Sequence, residues 1–439
     1  MENKENKFHL IAVDMGYGHQ RAAYPLISFS SDGIVTANNY KGIDPKERKS
    51  WQGNKKGYEL VSYFKKLPLV GDLVFSAMDY FQKIDSFYPK RDLSKPSFQQ
   101  KYFYKKIEKG LGKKLIEKLN QNPLPLVTTF FVVAYFAEYY DYKGEIYCVV
   151  CDADVSRAWA PLNPSTSKIK YLAPNKRVKE RLVLYGVRPE NIFVAGFPLP
   201  EENIGSHKNI LKNDLKQRII SLDPQGVYRK KYKKLIEEYL GPIDHKEQSE
   251  RPLTITFAVG GAGAQRDLAL NIVKSLERKI KNQEVNINLI AGSRADVYDF
   301  FVKNVEARCP GCKNVRVVYN PDKVKYFQEF NKVLRTTDIL WTKPSELTFY
   351  SGLGLPIIMS KPIGSQEHYN REWLLAIGAG IDNKNVKYTD EWLFDWLNSG
   401  WLAEAAIQGF LDAPSSGAKN IEDVVLNKKI KEIDELHLL

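Results

Sequence analysis

The sequence predicts an α/β protein with two doubly wound, parallel sheets, and three observations support this prediction. The chain has 439 residues, more than a single hydrophobic core ordinarily organises. Apolar, β-rich runs alternate with helix-patterned stretches along most of its length, which is typical of a parallel sheet covered on both faces. A polar and charged stretch at 201–251 separates two sets of such runs.

The strand candidates fall into two sets of five. They are 9–14, 124–130, 145–152, 168–174 and 191–198 in the first half, and 253–261, 287–293, 314–320, 338–343 and 355–360 in the second. We therefore expect four regions, namely an N-terminal domain at 1–200, a linker with a helix at 201–251, a C-terminal domain at 252–389 and C-terminal helices at 390–439. Ligands should bind where the strands end, in a cleft between the two halves.

Composition limits the possible classes of function. The formal charge of +13 implies an anionic partner, such as nucleic acid, acidic lipid or a phosphorylated substrate. The N-terminus has no signal-peptide pattern, and no apolar run reaches the roughly 18 residues that a spanning helix needs. The longest run, 126–137, predicts a buried strand that leads into a helix. We therefore expect a cytoplasmic protein that is soluble or monotopic.

The four cysteines form two C-x-x-C pairs, Cys148/Cys151 and Cys309/Cys312. Side chains three residues apart on a strand point to opposite faces, so the first pair cannot chelate one metal ion. The second pair lies in a turn and could close a disulfide, but no other motif indicates a redox function. We expect structural or incidental roles for the cysteines and no metal site.

A glycine-rich loop follows the first strand of each half and precedes a helix. In the first loop, Gly16 and Gly18 permit a tight turn whose N–H groups face a negative ligand, and His19 stands at the start of the helix. A structural turn explains this pattern as well as a binding loop does. The second loop contains small residues that let the backbone approach a diphosphate closely, namely Gly260, Gly261 and Gly263.

The most specific motif lies at 340–380. A strand ends at 342–343, and Glu346 follows in the first turns of a helix, where its carboxylate can accept hydrogen bonds from two ribose hydroxyls. After the next strand, another helix begins with a polar cluster. Its side chains supply the donors and acceptors that sugar hydroxyls need, and they are Gln366, Glu367 and Asn370.

In their order along 8–382, these motifs resemble the family 28 glycosyltransferases, which have the GT-B fold of two Rossmann-like domains facing a central cleft. The similar segments are GYGHQRAA, the stretch that begins CVVCDADVSRAW, the second glycine loop, and LPII followed by QExxN. The family includes the peptidoglycan lipid II GlcNAc transferase, plant monogalactosyldiacylglycerol synthases and bacterial diglucosyldiacylglycerol synthases.

The resemblance implies an inverting, metal-independent hexosyltransferase without a cofactor, whose co-substrate is a nucleotide sugar, expected to be a UDP-sugar. The second glycine loop would line the donor diphosphate, and Glu346 would bind the ribose. Gln366, Glu367 and Asn370 would hold the donor sugar.

The resemblance also implies roles on the acceptor side. His19, on the loop with Gly16 and Gly18, would be the catalytic or acceptor-activating residue, and Asp152 is its rival for the role of general base. Asp152 and Asp154 also match the Asp-x-Asp signature of the metal-dependent GT-A class. The two-half organisation favours GT-B, so we interpret this tripeptide as a site-lining or structural turn.

Residues 41–118 combine basic and aromatic side chains, with 19 Lys and Arg against 9 Asp and Glu, and 13 aromatics. Apolar and cationic residues interleave there at helical spacing, which suits an anionic membrane surface. A solvated helical surface above core aromatics would give the same pattern. No nucleic-acid-binding module accompanies these charges, so we expect no nucleic-acid partner.

The sequence therefore predicts a monotopic transferase, peripheral on the inner face of the cell membrane, with a lipid acceptor of the diacylglycerol type. Two alternatives stay open. One is a GT-B transferase with a soluble or polyprenyl acceptor. The other is a non-catalytic GT-B protein that binds a nucleotide sugar or anionic lipid.

Overall fold

The computed structural model describes residues 7–51, 83–258, 265–362 and 364–429. They form two compact units. The first consists of the described residues of Met1–Leu199, Ile363–Asn370 and Ser416–Leu439, and the second of those of Pro200–Pro362 and Arg371–Ser415. The predicted loop with Gly260, Gly261 and Gly263, and residues 52–82 of the basic aromatic segment, lie outside the described residues.

The first unit contains a six-stranded parallel sheet with the order β2-β1-β3-β4-β5-β6. Its strands are β1 (Phe8–Ala12), β2 (Ser30–Thr36), β3 (Leu126–Thr128), β4 (Ile146–Val149), β5 (Lys170–Ala173) and β6 (Ile192–Val194). The chain order reverses between β1 and β3, which is the switch point where such sheets bind ligands. The edge strand β2 was not predicted, because its Asp and Gly are depleted in strands.

The helices that come between these strands are α1 (Gly18–Ala23), α2 (Phe98–Glu108), α3 (Lys113–Leu119), α4 (Phe131–Tyr139) and α5 (Lys176–Leu184). Helices α1, α4 and α5 contact the sheet, and α2 and α3 pack against α4. Helix α4 is apolar all round and buried from Phe131 to Ala137, because it lies inside the core. Helix α2 begins with a capping box, in which Ser97 and Gln100 satisfy each other's backbone N–H groups.

The second unit has its own six-stranded parallel sheet, with the order β12-β11-β10-β7-β8-β9. Its strands are β7 (Leu253–Ala258), β8 (Val285–Gly292), β9 (Val315–Tyr319), β10 (Ile339–Thr342), β11 (Ile357–Met359) and β12 (Gly380–Asp382). The chain order reverses between β7 and β10, so the predicted second glycine loop follows a strand at the switch point of this sheet.

The stretch predicted as a linker holds three helices, α6 (Asn209–Leu222), α7 (Val227–Lys231) and α8 (Lys233–Leu240). The following helices are α9 (Arg266–Ser275), α10 (Glu277–Lys281), α11 (Ala295–Arg308), α12 (Lys323–Leu334), α13 (Ser365–Ala376), α14 (Thr389–Asn398) and α15 (Trp401–Asp412). A 3-10 helix, Glu346–Leu353, connects β10 to β11. The two parallel sheets with their flanking helices confirm the predicted α/β class with two Rossmann-like domains.

Helix α16 (Gly417–Val425) belongs to the first unit although it comes late in the chain. Its Ile421 and Val425 are buried in the same apolar cluster as Leu10 of β1. A Cβ on Gly417 would lie 2.1 Å from the backbone oxygen of Phe197, so only glycine permits this approach.

The residues beyond α16 are tied to the first sheet by charge. Lys428 forms an ion pair with Glu145, which stands just before β4, and Lys170 of β5 pairs with the same carboxylate. Burial alone would raise the pKa of Glu145, but the hydrogen bonds and charges of the two lysines outweigh it and lower the pKa to about 2.

Candidate functional site

His19 lies where β1 ends, as the second residue of α1. The Nδ1 atom of its half-buried ring is 2.6 Å from the backbone oxygen of Thr129. Because a carbonyl oxygen can only accept a hydrogen bond, Nδ1 carries the proton of the neutral ring, and Nε2 keeps the lone pair. His19 is therefore held in the tautomer that can take up a proton at Nε2.

The segment that follows β3 orients His19. The Thr129 hydroxyl donates to the backbone oxygen of His19 at 2.9 Å, and the Phe130 ring packs edge-on against the imidazole with a centroid distance of 4.9 Å. The Cys151 thiol, which follows β4, donates to the Thr129 backbone oxygen at 3.7 Å. Thr129 thus links the ends of three neighbouring strands. It was not among the predicted site residues, although its place at the end of a strand candidate was a usable signal.

Asp152 follows β4, and its half-buried carboxylate contacts a residue distant in sequence. Its Oδ1 accepts a hydrogen bond from Asn370 Nδ2 at 3.0 Å. The Oδ1 atom of Asn370, which is fully buried, accepts from the backbone N–H of Ala153 at 2.7 Å. The structure therefore joins the predicted rival base to a residue predicted to hold the donor sugar. His19 and Asp152 follow β1 and β4, the strands on either side of β3.

Asp154 has a different environment from Asp152. Its two carboxylate oxygens accept hydrogen bonds from Arg181 Nε and Nη2 at 2.8 and 2.7 Å, and both side chains are buried. Burial alone would lower the pKa of the Arg181 guanidinium, but the hydrogen bonds and charge of Asp154 outweigh it and raise that pKa. Of the two interpretations of Asp152-Ala153-Asp154, as a site-lining or a structural turn, this geometry agrees with the structural one at Asp154.

The two glycines of the first loop have different backbone conformations. Gly16 has φ +100°, in the left-handed region that side chains with a Cβ rarely adopt, whereas Gly18 is the first residue of α1. The loop between β1 and α1 therefore favours glycine at position 16.

In the second unit, the start of α9 is joined to the end of β11 by side-chain hydrogen bonds. Gln265 immediately precedes α9. Its Oε1 accepts from the Ser360 hydroxyl at 2.5 Å, and its Nε2 donates to the Lys361 backbone oxygen at 3.3 Å. Gln265 and Ser360 were not among the predicted site residues. Gln265 comes two residues after Gly263 of the predicted loop, and Ser360 is the last residue of the strand candidate 355–360, so both positions were usable signals.

Glu346 follows β10 as the half-buried first residue of the 3-10 helix, and the remaining residues of this helix are buried. The helix predicted after this strand is thus present, as a 3-10 helix. Its far end is held by the buried Arg218 of α6, whose Nη1 donates to the backbone oxygens of Leu353 at 2.8 Å and Gly354 at 3.1 Å. Arg218 was not predicted as a supporting residue. Its partners are backbone carbonyls, which every residue has, so no sequence pattern marks them.

Gln366 and Glu367 lie in the first turn of α13, one turn before Asn370. Gln366 is half-buried, and Glu367 is buried. Residues three apart on a helix lie on the same face, so Glu367 and Asn370 are neighbours there. The predicted sugar-binding cluster is therefore contained in the first two turns of one helix.

Of the four cysteines, Cys151 contacts the residues described above, through its hydrogen bond to Thr129. Cys148 on β4 is a free thiol whose pKa is raised by burial, and Cys309 and Cys312 form a disulfide. No cluster of three His, Cys, Asp or Glu side chains suited to a metal ion occurs within the described ranges. In the same part of the chain, no helix combines the length and apolarity needed to cross a membrane.

Comparison with known proteins places these features in context. A family model described as a domain of unknown function (DUF6938) matches residues 242–312 and 295–389. The processive diacylglycerol beta-glucosyltransferase of Bacillus pumilus (strain SAFR-032) is 22% identical over 86% of this chain and 83% of its own length. The protein of the same name from Bacillus subtilis (strain 168) is also 22% identical, over 69% of this chain and 65% of its own length.

Among solved structures, MurG of Acinetobacter baumannii has 13% sequence identity and a TM-score of 0.49, over 96% of this chain and 99% of its own. The curated relatives are named glucosyltransferases, which confirms the predicted resemblance to glycosyltransferases and the predicted enzyme class.

Proposed function

We propose that the protein is an inverting glycosyltransferase that transfers a hexose from a UDP-sugar to a diacylglycerol-type lipid at a membrane surface. The observation that carries the proposal is the tautomer of His19, which the Thr129 carbonyl fixes at the switch point of the first sheet. The similarity to processive diacylglycerol beta-glucosyltransferases supports the choice of donor and acceptor class.

In the proposed reaction, His19 acts as the general base. Its Nε2 takes the proton of the acceptor hydroxyl as that oxygen bonds to the anomeric carbon of the donor sugar. The bond from this carbon to the diphosphate oxygen breaks, and the nucleoside diphosphate leaves with the electron pair. Attack from the face opposite the diphosphate inverts the anomeric configuration. Asp152 is the second candidate for the base, since it lies at the same edge of the sheet.

The donor residues are proposed in the second sheet and on α13. Glu346 would accept hydrogen bonds from the ribose hydroxyls, because it opens the helix directly after β10. Gln366 and Glu367 would bind the sugar hydroxyls with amide and carboxylate groups. Backbone N–H groups of the loop with Gly260, Gly261 and Gly263 would stabilise the leaving diphosphate.

The membrane contact is proposed on α2. Phe98, Lys101, Tyr102 and Lys105 have the spacing i, i+3, i+4 and i+7, so they lie on one face of this helix. All four are exposed, the two aromatics by 68% and 43%. Exposed aromatics beside lysines suit an interface with anionic lipid, where each charge contributes about 1 kcal/mol. The protein would then act as a peripheral membrane enzyme.

Replacement of His19 tests the catalytic proposal. We expect H19A to reduce transfer from a UDP-hexose to diacylglycerol in mixed micelles by about 10²- to 10⁴-fold, because it removes the base. H245A replaces an exposed histidine in the second unit and should keep wild-type activity. D152N decides between the two candidate bases. If H19A retains full activity while D152N loses it, Asp152 is the base; if both remain fully active, the proposed site is wrong.

Sedimentation with vesicles tests the proposed membrane contact. F98A/Y102A should lose binding to phosphatidylglycerol vesicles, whereas Y388A, which removes an exposed aromatic in the second unit, should bind normally. Equal binding by both variants would place the contact elsewhere. Thermal stabilisation of the wild type by a UDP-sugar without any transfer would favour the non-catalytic alternative.

A further inference from the structure

The turn after β4 is held on two sides by asparagine side chains. Asn370 Oδ1 accepts from the Ala153 N–H, and Asn175 Nδ2 donates to the Ala153 backbone oxygen at 3.0 Å. Asn175 in turn caps α5 by accepting from the Val178 N–H at 2.8 Å. Both polar groups of the peptide segment at Ala153 are therefore fixed, and Asp152 directly precedes it.

The Ala153 contact also determines how the Asn370 amide is oriented. An N–H group only donates, so the Asn370 atom that faces Ala153 is the amide oxygen, and the NH₂ group must face Asp152. Donation to a carboxylate stabilises its ionised form. Since Asn370 is fully buried, this amide cannot turn away into solvent. Asp152 is therefore kept in one orientation.

The same helix carries the proposed sugar ligands. Gln366 and Glu367 lie one turn before Asn370 in α13, and a helix transmits displacement along its backbone as a rigid element. A sugar bound by the first turn of α13 would therefore bias the position of Asn370, and through it the position of Asp152.

We propose that Asn370 is a positioning residue, which orients Asp152 and makes the position of this carboxylate respond to occupation of the donor-sugar residues on α13. This inference rests on the proposed transferase function and goes beyond it. Asn370 would act through Asp152, which makes it a positioning residue for the acceptor side in addition to any contact with the donor sugar.

Other ionisable groups occur in this turn and on α1, α5 and α13. They are His19 on α1, Cys151 next to Asp152 in the turn, the Asp154–Arg181 pair and Glu367 on α13. A substitution at Asn370 leaves all of these groups in place. A difference in activity or stability between the wild type and an Asn370 variant therefore reports the loss of the Asn370 amide.

The pH dependence of transfer tests the kinetic role. N370D places a second carboxylate next to Asp152, and like charges raise the pKa of one of them. If transfer needs the Asp152 carboxylate as well as the base His19, protonation of Asp152 also lowers kcat. The acidic limb of the kcat profile should then move up by about one pH unit or more in N370D and by less in N370A, which only removes the donor. D152N should abolish the effect of N370D on the profile. If N370A and N370D raise only the KM for the donor and leave the profile unmoved, Asn370 is a sugar ligand alone.

Thermal unfolding tests the contact without using activity. N370D should lower the unfolding temperature by several degrees at about pH 8 and by less at about pH 4, and D152N should relieve the loss, because repulsion needs two anions. N282D is the matched control, since Asn282 donates to the exposed Glu284 at 3.1 Å, where solvent screens the repulsion. If the N370D loss is unchanged by D152N, the coupling is absent and the inference is overturned.

The two readouts separate failure of this inference from failure of the proposed function. If the wild type transfers no sugar to any lipid acceptor, the proposed function fails, and the role of Asn370 in catalysis fails with it. If the wild type is active but the pH profile and the unfolding cycle are both unaffected, only the role of Asn370 is refuted.

Discussion

Replacement of Arg181 by methionine should strongly destabilise the first unit. The Arg181 and Asp154 side chains are 0% and 2% exposed and are joined by two hydrogen bonds. Removal of one partner from a buried pair leaves an uncompensated charge, which costs about 3–5 kcal/mol. The variant also loses a hydrogen bond of 2.8 Å from Arg181 to the Asp85 backbone oxygen and the stacking of the guanidinium over Phe87.

Urea unfolding followed by circular dichroism would measure this change. E180Q is the matched control on the same helix, because Glu180 pairs with Lys90 at 2.6 Å, but the two side chains are 33% and 51% exposed. An exposed pair contributes about 0.2–1 kcal/mol, so the two variants should differ by at least about 2 kcal/mol. D154L/R181M removes both charges and should be more stable than R181M.

The pH dependence of the same measurement gives a second check. Burial raises the pKa of Asp154 even with its partner present, and loss of Arg181 raises it further. A carboxyl group whose pKa is raised in the folded state stabilises the protein as pH falls, since the native state then binds the proton. The deficit of R181M should therefore shrink at low pH. A deficit that equals that of E180Q at about pH 7, or that does not change with pH, would refute the reasoning.

Three further changes test features of the fold. G16A should lower the free energy of unfolding by about 1–2 kcal/mol because of its left-handed φ, whereas G18A should not, and equal urea midpoints would contradict this. E145Q should remove stability that the wild type has above about pH 4.5 and loses as pH falls towards 2, so acid-unfolding curves that coincide with the wild type would argue against the two lysine pairs. G417A should displace α16 from Phe197, which would be visible as faster amide hydrogen exchange in α16; unchanged exchange would show that this approach is not tight.

The parts of the site that depend on local sequence were predictable. The positions of His19 after β1 and of Glu346 after β10 follow from a strand, a turn and a helix in immediate succession, which a local pattern reveals. The pairing of β1 with β3, which brings Thr129 beside His19, was not predictable in this way. Strand order depends on the packing of whole elements, and the sequence contains no local signal for it.

The contact of Asn370 with Ala153 spans 217 positions of sequence, and the motif that contains Asn370 indicated only that its amide suits a sugar. The return of α16 to the first unit is similar, because its apolar residues predict a buried face but not the surface that buries it. The burial of Arg181 was also not predictable from the sequence, since an arginine on a polar helix ordinarily lies in solvent. Long-range partners of polar side chains are thus the part that required the structure.

The late position of α16 has a consequence for synthesis of the protein on the ribosome. The face of β1 that α16 covers is synthesised more than 400 residues before Ile421 and Val425 emerge. At about 5–20 residues per second, this apolar face waits for roughly 20–80 s before its covering helix exists. During that interval the nascent first unit exposes hydrophobic surface, so it should depend on chaperone protection more than a domain that is completed in one continuous stretch.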